Sequence, residues 1–166
     1  MVRPDRRASG WAAMEGKLQI LESVPLLATW GEEALGGLAE QAEFVTVKKD
    51  EMAVREGEKG DAFYVVVSGR LQAYSQLNGH AERIYVRYGS GDWFGETPLL
   101  SGETHWASVR ALNDSVLLKI PRAAFESMLA RSPQMATAFT RRMGERIKQV
   151  LEEKNRLDMV EPEENA

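Results

Sequence analysis

Residues 91–111 read Gly-Asp-Trp-Phe-Gly-Glu-Thr-Pro-Leu-Leu-Ser-Gly-Glu-Thr-His-Trp-Ala-Ser-Val-Arg-Ala. The pattern predicts a glycine turn entering a very short helix, then a loop, then a β-strand. Glycine lets a backbone approach a ligand closely. The N-terminus of a short helix presents free N–H groups and partial positive charge, which suits an anion. A glutamate at that point, Glu96, is placed to accept hydrogen bonds from sugar hydroxyls. The stretch therefore reads as the functional centre of the chain.

Outward from it, residues 43–120 form short β-rich runs with turn signals every 8–12 residues, the texture of a sandwich, roll or barrel. Phe44-Val45-Thr46-Val47 is one run. Phe63-Tyr64-Val65-Val66-Val67 is the most apolar and predicts a central strand, with Ser68-Gly69 as a tight turn after it. Leu71, Ala73 and Ser75 alternate with polar neighbours up to Asn78-Gly79, a strong hairpin signal because both residues tolerate positive φ. Ile84, Val86 and Tyr88 alternate on the return strand. Val109-Arg110-Ala111-Leu112 and Val116 to Ile120 complete the sheet.

Helices flank this core. Apolar residues fall at helical spacing over 12–22 and 32–42, and Val24-Pro25-Leu26-Leu27 breaks the two segments. Pro121 fits a first helical turn, and Ser132-Pro133 repeats that signal for a long helix to about Leu157. Ala136, Phe139, Met143, Ile147, Val150 and Leu157 form its apolar stripe; Arg141, Arg142, Arg146 and Lys148 give it a basic side. The expected organisation is a flexible tail over 1–11, a β-roll domain over 12–131, the long helix over 132–158 and an acidic tail over 159–166.

Composition narrows the function. The 166 residues are 43% hydrophobic and 28% charged, ordinary values for one globular domain. There is no cysteine, hence no disulfide and no thiolate site, and the cytoplasm is the expected compartment. No apolar run reaches the ~18 residues of a membrane span, and the basic start lacks the apolar stretch of a signal peptide. A net charge of −4 argues against nucleic acid as the main partner. A DNA-reading helix-turn-helix would have to follow the long helix, where too few residues remain. With two histidines, His80 and His105, on separate segments, no cupin-type metal cluster is expected. Gly89 to Gly95 imitates a dinucleotide glycine pattern, but its last glycine is misplaced and its setting is all-β. No nucleophile motif or general acid–base pair stands out, so the chain reads as non-enzymatic.

The segment resembles the phosphate-binding cassette of cyclic nucleotide-binding domains, found in kinase regulatory subunits, catabolite activator proteins and gated channels. Upstream, Gly57-Glu58-Lys59-Gly60-Asp61-Ala62-Phe63-Tyr64 through Gly69-Arg70 is similar to that family's glycine-rich strand–turn–strand. The resemblance covers roughly residues 21–131. It implies a mainly β fold with flanking helices: an eight-stranded, jelly-roll-like β-roll with N-terminal helices and a long C-terminal helix. It also implies that Glu96 binds the ribose 2′-hydroxyl and that the amides of Gly95, Glu96 and Thr97 line the sugar-phosphate site. His105, Trp106 and Ala107 complete the ligand-binding set, and Asp61 couples occupancy to the phosphate-binding position. The C-terminal helix becomes a moving lid or a homodimer contact.

Three positions depart from that pattern. His105 stands where the family has its phosphate-binding arginine. An arginine is always charged and grips phosphate with a planar fork, whereas a histidine of pKa ~6.5 is mostly neutral at pH 7. Losing one member of a buried charged pair costs ~2–5 kcal/mol. Pro98 has no N–H to give at a position that commonly donates to phosphate. Trp106 replaces a small residue, crowding the phosphate or offering a stacking face. Arg110 points to the opposite side of its strand from Val109 and does not replace the missing arginine. Three readings follow: a regulatory module with weakened or lost cAMP or cGMP binding that signals to an unknown protein partner, a functional cyclic-nucleotide sensor moving its C-terminal helix, or a site for another small anion.

Overall fold

A computed structural model describes residues 2–4, 10–79, 81–96, 99 and 104–160, with the backbone alone for 10–13. His80, Thr97 and Pro98 lie outside the described residues. In chain order the elements are β1 (Arg3–Pro4), α1 (Gly10–Glu22), a 3-10 turn (Pro25–Leu27), α2 (Glu32–Gln41), β2 (Glu43–Val47), β3 (Met52–Val54) and β4 (Ala62–Ser68). There follow β5 (Leu71–Gln76), β6 (Glu82–Tyr88), β7 (Trp93–Phe94), β8 (Ser108–Ala111), β9 (Ser115–Pro121), α3 (Arg122–Leu129) and α4 (Pro133–Asp158).

Two antiparallel sheets make the roll, one ordered β1-β2-β9-β4-β7 and the other β3-β8-β5-β6. Strands β2 to β9 are the expected eight. The ninth, β1, falls in the segment read as a flexible tail: Arg3 and Pro4 pair with Thr46 and Val45, and Arg3 reaches Glu51 at 3.1 Å. Helix α1 likewise begins at Gly10, inside that segment.

Strand β4 explains why its sequence is apolar without alternation. Phe63 and Val65 face a helical core with Leu21, Leu27, Trp30, Leu38, Phe125 and Phe139, while Tyr64 and Val66 face the roll interior with Val45, Leu71, Phe94 and Val109. Side chains alternate across a strand, so one buried on both faces needs apolar residues throughout. At its end, Gly69 has φ +103°, and a Cβ there would stand 2.2 Å from Ser115 Oγ. Only glycine suits both the conformation and the space.

Strand β6 departs from the simple alternation of Ile84, Val86 and Tyr88. Val86 pairs with Ala73 and Ile84 with Tyr74, which leaves Tyr85 as an extra, bulged residue. A bulge reverses which side chains face inward. Ile84 is therefore 36% exposed, and Tyr85 joins Val86 against the roll interior. Pro121 ends β9 and caps α3 instead of occupying its first turn.

Helix α4 starts as its sequence predicts, with the Ser132 hydroxyl accepting from the Met135 amide at 3.2 Å and Pro133 in the first turn. The first half of its stripe is used within the chain: Phe139 and Met143 are buried in the helical core, and Ile147 packs against it. Phe139 meets Trp30 and Phe125 at ring separations of 5.5 Å each. Among the described residues, no helix is long and apolar enough to cross a membrane.

Candidate functional site

The site is assembled where β7 runs into the cassette. Phe94 stacks on Tyr64 at 5.1 Å and packs at a tilt against Tyr88 at 5.3 Å, which anchors the turn that follows. Gly95 then takes φ +86°, and a Cβ there would meet the Ala62 carbonyl oxygen at 3.1 Å and Tyr64 Cδ2 at 3.3 Å. The turn thus lies tightly on β4, and the next residue, Glu96, is carried to a position 3% exposed. Burial pushes the Glu96 carboxyl above its usual range; a backbone hydrogen bond and Arg146 oppose that shift. Glu96 in turn raises Tyr88, whose phenol is elevated first by its own burial.

The other end of the cassette is zipped to the glycine turn between β3 and β4. The His105 amide donates to the Glu58 carbonyl at 3.0 Å, and the Gly57 amide donates to the His105 carbonyl at 3.0 Å. Lys59 and Thr104 form an isolated bridge beside them. The two stretches singled out in the sequence are therefore one structural unit. His105 is 7% exposed and Ala107 3%. Burial lowers the His105 pKa, and the charges of Asp61 and Glu58 only partly counter it. Asp61 is itself at the surface, near enough for its charge to act on both His105 and Tyr64. Trp106 is half-buried, edge-on to Tyr85 at 5.4 Å. Thr97 lies outside the described residues. Arg110 is engaged elsewhere: it makes a two-pronged contact with Glu82 at 2.6 and 2.7 Å and lies 4.2 Å from the Tyr74 ring.

The contacts made by α4 were not assigned to the site from sequence. Arg146 Nε stands 3.8 Å from Glu96 Oε1, and its guanidinium lies 5.3 Å from the Trp93 ring. Lys154 donates to the Trp106 carbonyl at 2.8 Å and approaches Glu56 at 3.9 Å. The Tyr85 hydroxyl donates to Asp158 at 2.6 Å, and Arg83 reaches the same carboxylate at 3.1 Å. The available signal was the apolar stripe itself: 139, 143, 147 and 150 continue at helical spacing into 154 and 158, where it turns charged. The sequence shows that change of character but not the roll beneath it.

Chemically, the site offers a buried carboxylate for hydroxyls, a neutral-leaning histidine, aromatic faces at Trp93, Tyr85 and Trp106, and cations supplied by a helix.

Residues 44–132 match the family model described as cyclic nucleotide-binding domain. An uncharacterised NTE family protein of Mycobacterium bovis is 33% identical over 129 residues, covering 78% of this chain and 21% of that protein. The patatin-like phospholipase domain-containing protein 7 of Rattus norvegicus is 32% identical over 105 residues, covering 63% of this chain and 8% of that protein. The chain thus spans about a fifth or less of the length of these relatives. Among solved structures, the regulatory domain of Toxoplasma gondii PKA with cAMP superposes with a TM-score of 0.67 at 26% identity, covering 73% of this chain and 46% of that one. Thermus thermophilus catabolite activator protein gives a TM-score of 0.65 at 25% identity, covering 81% and 63%.

Proposed function

The chain belongs to the cyclic nucleotide-binding domain family, and from that premise we propose that it is a regulatory module whose grip on a cyclic phosphate is weakened and whose output passes through protein contacts. The observation that carries this reading is the burial of His105, which aligns with the family's phosphate-binding arginine: it is 7% exposed and has its pKa lowered by burial. A buried neutral imidazole offers a single N–H donor and no fixed charge, where the family's arginine offers a charged fork. The loss of a charge-assisted, two-pronged contact corresponds to roughly 30-fold or more in affinity. The names of the relatives suggest the output: this module would regulate a phospholipase-type activity carried by a longer protein.

A second reading, a working cyclic-nucleotide sensor, draws support from the retained frame. Gly95 keeps its positive φ, Glu96 is buried at the cassette, and Asp61 acts electrostatically on position 105.

Calorimetric titration with cAMP and cGMP at pH 6 and 7.5 separates the two. The weakened module binds no tighter than about ten micromolar at pH 7.5, and His105→Arg tightens binding by at least roughly tenfold. Tighter wild-type binding at pH 7.5 establishes the sensor instead.

A further inference from the structure

Away from the cassette, the outer wall of the helical core is grooved. The first half of α4 buries Phe139 and Met143, and its neighbouring face borders depressions of about 310, 260 and 430 Å³. The first two share Ser132 and Met135, and the last two share Gln134 and Ala138, so they run together as one groove beside α2, the 3-10 turn and α4. Its apolar lining is Leu26, Trp30, Ala34, Met128, Met135 and Ala138. Gly37 makes room for Met128 on that wall: a Cβ there would stand 2.6 Å from Met128 Cε.

Three exposed cations border the groove, Arg131, Arg141 and Arg142, against one lining carboxylate, Glu33. Among the described residues none of these three arginines has an ion-pair partner, whereas Arg83, Arg110, Arg122 and Arg156 each have one. The whole chain carries a net charge of −4, so the excess of positive charge is local to the groove. Arg131 and Arg141 mark its two ends, roughly three helical turns apart.

We propose that this groove docks an acidic amphipathic helix of a protein partner. The apolar stripe of that helix lies on Trp30, Met128, Met135 and Ala138, and its carboxylates meet Arg131, Arg141 and Arg142. Such a helix-in-groove contact uses apolar anchors at i, i+3, i+4 and i+7. A small-molecule site encloses most of its ligand, and this groove is open along its outer side. Its walls are helices and a 3-10 turn, with no sheet edge to accept a strand. Gly31, Ala34 and Ala138 are small, which lets a further helix approach to the usual ~8–10 Å between axes. A nucleic acid would use the cations and leave the apolar floor uncovered. In the relatives, about four fifths or more of the polypeptide lies outside the matching span, so the helix has room in the same polypeptide or in a separate one. None of the groove residues belongs to the cassette, so the docking does not depend on whether a nucleotide binds there.

The test is fluorescence anisotropy with a labelled synthetic peptide of about eighteen residues, with leucine at i, i+3, i+4 and i+7 and glutamate on both flanks. It is compared with a lysine-for-glutamate version and with a shuffled version that keeps the composition and breaks the stripe. The whole chain is used as wild type, as Arg141→Glu with Arg142→Glu, as Ala138→Gln, and as Arg87→Glu, a control on β6; all four positions are exposed. The glutamate peptide is expected to bind wild type and control alike, and to slow amide hydrogen exchange over residues 29–35 and 131–142. The charge-reversed variant is expected to bind it at least roughly tenfold more weakly and to prefer the lysine peptide, because like charges then face each other. Ala138→Gln keeps the charge but lays a polar side chain across the groove, and is expected to weaken binding several-fold at an unchanged urea midpoint. Equal binding of the shuffled peptide overturns the proposal, since charge alone then accounts for the contact. No binding to wild type, or protection that falls outside the groove, also overturns it.

Discussion

The two halves of α4 meet the same roll through different chemistry. Residues up to Met143 sink into an aromatic cluster with Trp30, Phe63 and Phe125, where ring separations run from 5.5 to 6.1 Å. Residues from Arg146 onward rest on a carboxylate, a carbonyl and a phenol at the cassette side. Close-packed hydrocarbon is lost as a whole or not at all. Exposed or partly exposed polar contacts each contribute little and exchange readily with water. A helix held both ways has a close-packed root and a tip held by polar contacts, and the tip reaches Glu96, the Trp106 carbonyl and Tyr85.

The largest expected effect breaks the root. Phe139→Ala removes a buried ring at the centre of the cluster and should cost about 3–5 kcal/mol in urea unfolding. A loss below about 1 kcal/mol would mean that the two halves are anchored alike.

The next effect isolates the cassette beneath the tip and is read through pH. The His105 pKa in the folded protein lies below its unfolded value of ~6.5, so between the two the unfolded chain binds more protons. This contribution to stability is present above about pH 6.5 and is lost as pH falls through the folded pKa. Glu96 has the opposite sign: its folded pKa is raised, so its contribution is present below the unfolded value and lost as pH rises. His105→Gln should therefore reduce the fall in urea midpoint between pH 7.5 and 5.5. An unchanged fall would show that His105 is not the group responsible.

The smallest effect probes the tip. Lys154→Met keeps the aliphatic stem but removes the bond to the Trp106 carbonyl, and should cost about 1 kcal/mol or less. A loss approaching that of Phe139→Ala in the same urea series would erase the distinction between root and tip.

Much of the fold was legible because burial imposes period. The unbroken apolar run of β4, the stripe of α4 and the Ser132-Pro133 start all appear where the sequence places them. What escaped depended on distant partners. Strand β1 is two residues long, and its signal lies in β2, some forty residues away. The bulge at Tyr85 is set by its pairing with β5, and it moves Ile84 outward against its own alternation. The cassette itself was identified from its glycines and Glu96, and the structure joins it to the Gly57–Asp61 turn through His105.

The sequence by itself determined the roll, its flanking helices and the glycine frame around Glu96, because glycine conformation and apolar periodicity are properties of local residues. The tertiary structure decided that Glu96 faces Arg146 and that His105 is buried near Asp61. It also decided that the charged end of α4 meets the Trp106 carbonyl and Tyr85. Those facts depend on where a helix of 26 residues comes to rest on a sheet, and packing of the whole chain sets that position.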